Sequence, residues 1–370
     1  MKVLMICGSL YPAQTGGVDN SVYWQSKSLF KNGVEVQLIS TNSGIAKDRV
    51  QENVWINTDF GLVKYVNIFS KRFPVEWIIK TFPLLITYKG YLHFHSLTYC
   101  APFLFLIPVL KNKIIWSIHG ELDEQALIYS KWKKKPILWV LKKFMLSKIL
   151  FHTTSPEETK RAQIILGNNA KIVEVANFLE LPDKEVRNSN EKYFLYIGRI
   201  HPKKAIENLI AALSKSNIFL NSDFILKIAG DSDSDYGEML KELVSDLNLS
   251  NKIIFLGHIG SEGKQMLYAN AYFTFMPSHT ENFGNVVIES LAQGTPVVAS
   301  KGTPWQILRD RKAGFWVENE VSSLASVINK IIDLNIEEYN ALRENARQLA
   351  YEEFNIDSNI EKWITTYQSL

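Results

Sequence analysis

Cysteine is scarce. The 370 residues hold two, Cys7 and Cys100, each among apolar neighbours in a segment that reads as buried. That count argues against a disulfide framework or a cysteine-built metal site, and two core thiols in a reducing compartment are expected. Long apolar runs are missing too. The most apolar stretch, 101–110, is about ten residues and contains Pro102 and Pro108, too short to span a bilayer. The opening MKVLMICGSL has one lysine and no small-residue cleavage site behind it, so it reads as a first strand rather than a signal peptide. A cytoplasmic protein is expected. Familiar catalytic signatures are also absent: G-x-S-x-G, H-E-x-x-H, a P-loop and zinc-type cysteine spacing. A nicotinamide oxidoreductase would carry G-x-G-x-x-G after its first strand, whereas here Gly8 is followed by Gly16-Gly17 at the wrong spacing. No short-period repeat occurs, and no nucleic-acid partner is expected.

What is there suits a two-domain α/β protein. An apolar fraction of 46% and a charged fraction of 21% are ordinary for a globular chain, and 370 residues suit two domains. The net charge of +3 conceals an asymmetry. Residues 1–180 hold 22 Lys+Arg against 13 Asp+Glu, and the remainder 19 against 25. The first half is therefore expected to face something anionic.

The apolar pattern alternates strand and helix. Val3 to Cys7 is a continuous apolar run of the buried parallel kind, the Gly16-Gly17 loop follows, and 18–31 has helical spacing closed by Asn32-Gly33 before a strand at 34–40. Further strands are expected at 91–95, 113–118, 149–153 and 172–175, with 101–110 as a connecting helix. The polar segment 181–192 reads as a linker. The rhythm restarts with strands at 193–197, 224–229, 252–255, 271–276 and 296–299, and a helix at 206–215. The expected division is residues 1–180, the linker 181–192, a second domain 193–357, and a last helix 358–370 crossing back to the first domain.

One segment, PSHTENFGNVVIESLAQGTPVV from Pro277 to Val298, carries chemistry. A buried strand ends at Pro277, a polar loop bears Glu281, and a helix from Gly284 to Gly294 bears Glu289 on its early face. Gly284 lets backbone approach a ligand. The unpaired N–H groups at the helix start suit a diphosphate, and a carboxylate one to two turns in can accept hydrogen bonds from ribose hydroxyls.

The stretch resembles the E-x7-E motif of the family 4 retaining glycosyltransferases of GT-B fold, and other landmarks agree in order. Gly198-Arg199-Ile200-His201-Pro202-Lys203-Lys204 is similar to that family's G-R-x-x-x-x-K loop, although Ala205 stands where glycine is usual, so the local turn is expected to differ slightly. His119-Gly120 is similar to its first-domain His-Gly, and Gly16-Gly17 to its first-loop glycine pair. Asn177-Phe178-Leu179-Glu180 aligns with N-G-V-D, with Phe178 in place of glycine. The resemblance covers nearly the whole chain, strongly over 193–300 and loosely over 45–110.

It implies two Rossmann-like doubly wound domains with a cleft, binding a nucleotide sugar on the second and an acceptor on the first. The implied reaction is a hexosyl transfer with retention from a UDP-sugar, or next a GDP-sugar, to a glycan or polyprenyl-diphosphate-linked glycan, with no cofactor and no required metal. By carry-over Glu281 and His119 contact the sugar, Arg199 and Lys204 the diphosphate, and Glu289 the ribose, with Gly16, Gly17, Asn282, Phe283 and Gly284 lining the donor. Neither glutamate is a nucleophile. A non-catalytic nucleotide-sugar or carbohydrate binder, a sugar-nucleotide epimerase and a phosphorylase on the same fold are the alternatives.

Three further features invite functional readings. Asp231-Ser-Asp233-Ser-Asp235 contains D-x-D twice, at a strand end where a variable loop is expected rather than a metal site. His93 and His95 alternate on a short strand and face one side together. Residues 131–146 combine six lysines with Trp132 and Trp139 on a helical pattern, and the neighbouring 65–91 is rich in Trp, Phe and Lys. Such a segment can lie on an anionic membrane surface, which would be the inner face of the cell membrane.

Overall fold

Lys2–Ile6 becomes the central strand of a sheet because every residue after Lys2 is apolar and buried on both faces. The computed structural model describes all residues except 14–16, 47, 71–73, 124–130 and 190, and only the backbone of 131–133 and 261–262. Two compact units result, Met1–Glu180 with Ile356–Leu370, and Leu181–Asn355.

In the first unit the strands are β1 (Lys2–Ile6), β2 (Glu35–Thr41), β3 (Trp55–Thr58), β4 (Gly61–Val66), β5 (Tyr91–His95), β6 (Ile114–Ser117), β7 (Ile149–Thr153) and β8 (Lys171–Glu174). They lie in the order β3-β4-β2-β1-β5-β6-β7-β8. All neighbours are parallel except the edge pair β3–β4. Helices α1 (Gly17–Lys31), α2 (Val75–Thr87), α3 (Lys131–Val140) and α4 (Pro156–Leu166) are among the crossovers. Ser155 caps α4 by accepting from Glu158 N, with Pro156 in the first turn. Successive β1 side chains feed opposite faces: Leu4 and Ile6 join Phe94, Trp116 and Phe151, while Val3, Met5 and Cys7 join Leu38 and Ile115. Cys7 and Cys100 are thus buried on different faces and unbridged. Burial pushes the Cys7 thiol up to about 12, which keeps it protonated and inert. Residues 101–110 do not form the expected α-helix. Pro102 stands in the first turn of a short 3₁₀ segment, Ala101–Leu106, and Pro108 follows just beyond it.

The second unit carries β9 (Tyr193–Ile197), β10 (Ile225–Ala229), β11 (Ile253–Gly257), β12 (Phe273–Met276), β13 (Val297–Ser300) and β14 (Gly314–Val317), all parallel, in the order β11-β10-β9-β12-β13-β14. Its helices include α5 (Ile206–Ser214), α6 (Asp235–Asp246), α7 (Ser261–Asn270), α8 (Asn285–Ala292), α9 (Val321–Ile332) and α10 (Ile336–Glu353). A capping box between Asn335 and Glu338 starts α10. The chain then returns to the first unit through α11 (Ile356–Gln368), whose Ile356, Ile360, Trp363 and Tyr367 recur at helical spacing and are buried among the β1 and α1 side chains.

Candidate functional site

In an open parallel sheet, the strand order reverses at one point, and the loops leaving the carboxyl ends of the strands on either side splay apart to leave a crevice. In the second unit that point lies between β9 and β12. The loop after β9 carries Gly198, Arg199 and Lys204, and the loop after β12 carries Glu281 and Gly284, so both sequence motifs flank one crevice.

The loops are fastened by backbone contacts that need small residues. His279 N donates to Lys203 O at 3.0 Å and Glu281 N to Gly302 O at 3.1 Å. A Cβ on Gly302 would stand 2.0 Å from His279 O, and one on Gly230 2.2 Å from Gly198 O. Gly284 heads α8 with φ 90°, and a Cβ there would meet Met276 Cε at 2.4 Å. Both its angle and its space are those of glycine. Gly284, as the cap residue, brings no side chain to the start of α8. Ala205 corrects an expectation. It adopts φ 49°, ψ 44°, the left-handed conformation glycine would take, so the turn keeps its shape despite the methyl group.

Each glutamate has a cation of its own. Glu281 Oε2 is paired with Lys204 Nζ, the two side chains being 19% and 17% exposed, and Ser278 Oγ donates to the same oxygen at 3.5 Å. Glu289 Oε2 is paired with Lys264 and accepts from Tyr268 OH at 2.8 Å. Burial, and then the Glu289 charge, hold the Tyr268 hydroxyl well above its ordinary range, so it remains a donor. Arg199 is exposed on the β9 loop, with no ion pair among the described residues. Lys264 and Tyr268, both on α7, escaped the sequence reading, since nothing local marks them. Phe283 turns inward. Its ring packs on Trp305 and Phe354 at 5.1 and 6.0 Å, so only its backbone is left to meet a ligand. Asn282 follows Glu281 on the same loop and is partly buried. The two D-x-D repeats form a turn and a helix cap: Asp233 N donates to Asp231 Oδ1, and Ser234 caps α6.

Gly17 and His119 belong to the first unit, and Gly16 lies outside the described residues. Gly17 opens α1, and a Cβ there would meet nothing within 4 Å. His119 follows β6 with φ 51°, an uncommon angle for a side chain with a Cβ. It lines a cavity of about 10 Å³ with Gln25, His152, Asn177 and Trp363. Asn177, followed by Phe178 where glycine is usual, thus lines the same cavity as His119.

Around that cavity four buried or part-buried histidines share hydrogen bonds. His93 Nδ1 meets Tyr367 OH, His93 Nε2 meets Ser117 Oγ, and Ser117 Oγ meets His152 Nδ1, each at 2.7 Å. His152 Nε2 donates to Val175 O at 2.9 Å. His93 and His95 share a face as expected, with ring centroids 4.1 Å apart. Burial pushes His119 down to about 3 and His152 to about 4, and holds His93 and His95 well below the usual imidazole value. All four are neutral at pH 7.

The basic segment is less uniform than its sequence. Lys134 is buried and donates to Glu121 O at 2.6 Å. Trp139 and Phe144 are 58% and 54% exposed, and Lys143 Nζ lies 5.0 and 5.3 Å from their rings. Ile79 and Ile86 on α2, Phe105 in the 3₁₀ segment and Val109 after it are also exposed. Among the described residues no helix is long and apolar enough to cross a membrane.

Residues 177–349 match the family described as glycosyl transferases group 1. An uncharacterised glycosyltransferase of Methanocaldococcus jannaschii is 33% identical over 183 residues, 48% of this chain and 45% of that one. The O-antigen chain mannosyltransferase RfbU of Salmonella typhimurium is 30% identical over 199 residues, 52% and 53% of the two chains. This chain thus spans about half the length of these curated relatives. Sucrose-phosphate synthase from Thermosynechococcus elongatus superposes with a TM-score of 0.82 at 20% identity, covering 100% of this chain and 98% of that one. Anabaena HepE in complex with UDP-glucose gives 0.81 at 18%, covering all of both. At such identities the likeness speaks to fold alone, and the fold is GT-B: two Rossmann-like α/β units.

Proposed function

We propose, from the match of residues 177–349 to the glycosyl transferases group 1, that this chain moves a sugar from a nucleoside-diphosphate sugar to a glycan acceptor. The observation that carries the reading is the second unit's crevice, where a glycine-headed helix start stands beside two carboxylates, each balanced by its own lysine. A paired acid and base would need a shared proton path. Two separately neutralised carboxylates suit two separate binding roles.

In this reading the diphosphate lies between Arg199, Lys204 and the start of α8. Lys204 then exchanges part of its pairing with Glu281 for the phosphates. Glu281 is left to orient sugar hydroxyls, Glu289 accepts from the ribose, and His119 of the first unit meets the sugar. The bond from the sugar's anomeric carbon to the diphosphate oxygen breaks. The acceptor oxygen bonds to the same face, and its proton passes to the departing phosphate, so configuration is retained. Arg199 and Lys204 meet the charge that develops on the leaving group, work otherwise given to a metal ion. UDP is the favoured nucleotide, in keeping with the UDP-glucose held by HepE.

The acceptor is proposed to be lipid-linked, with the first unit resting on an anionic membrane. Support comes from Trp139, Phe144 and Lys143, from exposed Lys135 and Lys142, and from the lack of any Asp or Glu between residues 125 and 156.

Chromatography of free nucleoside diphosphate after incubation with UDP-, GDP- and ADP-sugars tests the reaction. Slow release from one donor, unchanged by EDTA, is expected. Binding of a donor with no release over hours would reduce the protein to a carrier.

A further inference from the structure

His95 plays no part in the proposed transfer, yet its surroundings fix the proton of a residue that does. It ends β5 with 1% of its surface exposed, and its Nδ1 lies 3.1 Å from His119 Nε2. The two rings are 21° from parallel with centroids 5.4 Å apart, the separation of imidazoles bonded edge to edge rather than stacked. The other nitrogen of His95, Nε2, is buried with no partner among the described residues.

Both rings are neutral, so each carries one N–H and only two arrangements are open. In one, His119 Nε2–H donates to His95 Nδ1, which leaves His95 with its proton on Nε2, a buried donor with nothing to receive it. In the other, His95 Nδ1–H donates to His119 Nε2, and the unpartnered His95 Nε2 is a bare acceptor. A buried N–H without a partner is the rarer and costlier defect. The second arrangement therefore prevails.

We infer that His95 is a positioning residue: it holds His119 in the Nδ1–H form, so that the first unit offers its ligand a hydrogen-bond donor rather than an acceptor. A neutral histidine side chain in water prefers the proton on Nε2, so the form is imposed by the neighbour. Among the described residues His119 makes its one hydrogen bond to His95. The Nδ1–H remains for a sugar hydroxyl oxygen, a step that rests on the proposed contact between His119 and the donor sugar. His95 sits at the strand end that β5–β6 register brings level with Ser117, two residues before His119.

The test is a long-range ¹H–¹⁵N correlation spectrum of ring-labelled histidine in the ligand-free full chain, with His119 assigned through His119→Gln. The wild type should show His119 protonated on Nδ1. His95→Leu should move that proton largely to Nε2, and His95→Asn, whose amide can still donate, should keep it on Nδ1. Donor turnover should fall about tenfold in His95→Leu and recover most of that in His95→Asn. A wild-type spectrum with the proton on Nε2, or a His95→Leu spectrum unchanged from wild type, overturns the inference. If His95→Leu does not fold, the wild-type spectrum decides alone. No donor is present in that measurement, so its outcome is separate from the fate of the transfer reading, which rests on nucleotide release.

Discussion

Lys204 and Glu281 form a part-buried pair, and the proposed donor would engage both members. Such a pair keeps either charge from standing alone while the crevice is empty, and a diphosphate can compete for the lysine. Removing Lys204 should therefore weaken donor binding and leave Glu281 without its cation. We expect Lys204→Ala and Glu289→Ala each to cut turnover at least about tenfold, the loss of one charge-assisted contact. Steady-state nucleotide release measures this, and near-wild-type rates in both variants would refute the assigned roles. Gly284→Ala should behave differently, through the backbone. Its φ of 90° strains any residue with a Cβ, and the added methyl must push Met276 Cε aside from 2.4 Å, so a loss of about 1–3 kcal/mol is expected. Thermal melting of the ligand-free protein would show it, and an unchanged midpoint would mean the loop has another conformation. The Glu281, Glu289, Arg199 and Lys204 pattern was legible in the sequence because each lies in a short contiguous motif. Lys264, Tyr268 and His152 were not: Lys264 and Tyr268 reach Glu289 from α7, and His152 reaches Ser117 through β6–β7 register, with no local signal to mark them. His93 and His95 were seen to share a face, but their partners were not legible.

Strands β5, β7 and β9 were legible to the residue, because strands of a parallel sheet buried on both faces write short runs dominated by apolar and aromatic residues. The β3–β4 pair was missed. It is an antiparallel edge element whose β3 residues are half-exposed or exposed, which blurs the pattern. The 101–110 helix was misjudged because apolar content was weighed above the two prolines. The strands that were read correctly carry the histidine cluster, and it has a consequence for stability. His119 and His152 titrate in the folded chain near 3 and 4, with His93 and His95 also depressed, against about 6.5 unfolded. Between about pH 6.5 and those lower values, the unfolded chain takes up protons that the folded chain refuses. Stability contributed by these groups is therefore whole above about pH 6.5 and falls as pH drops through that window, by up to about 1.4 kcal/mol per unit for each histidine. Urea midpoints should decline between pH 7.5 and pH 5, and less steeply in His152→Gln. A flat midpoint over that range would contradict the buried, neutral cluster.

At the scale of the whole molecule, charge and exposed apolar surface are divided between the units. The first half holds the excess of Lys and Arg and the second the excess of Asp and Glu, so an anionic surface should attract the first unit and repel the second. Because Lys134 is buried on Glu121 O, the lysines to test are Lys135, Lys142 and Lys143. Wild type should float with vesicles containing anionic phospholipid and remain behind with neutral ones, whereas the triple change to Glu should not float with either. Equal recovery of both proteins in the soluble fraction would remove the membrane from the account.

The central claim is that the second unit grips a nucleoside-diphosphate sugar through Arg199, Lys204, Glu281 and Glu289. Its most direct measurement is thermal unfolding of wild type and Glu289→Ala against UDP-, GDP- and ADP-sugars. A true donor at about one hundred times its dissociation constant should stabilise the wild type by about 2.7 kcal/mol, and Glu289→Ala should lose most of that shift. No shift with any of the three, or the same shift in the variant, would contradict the claim.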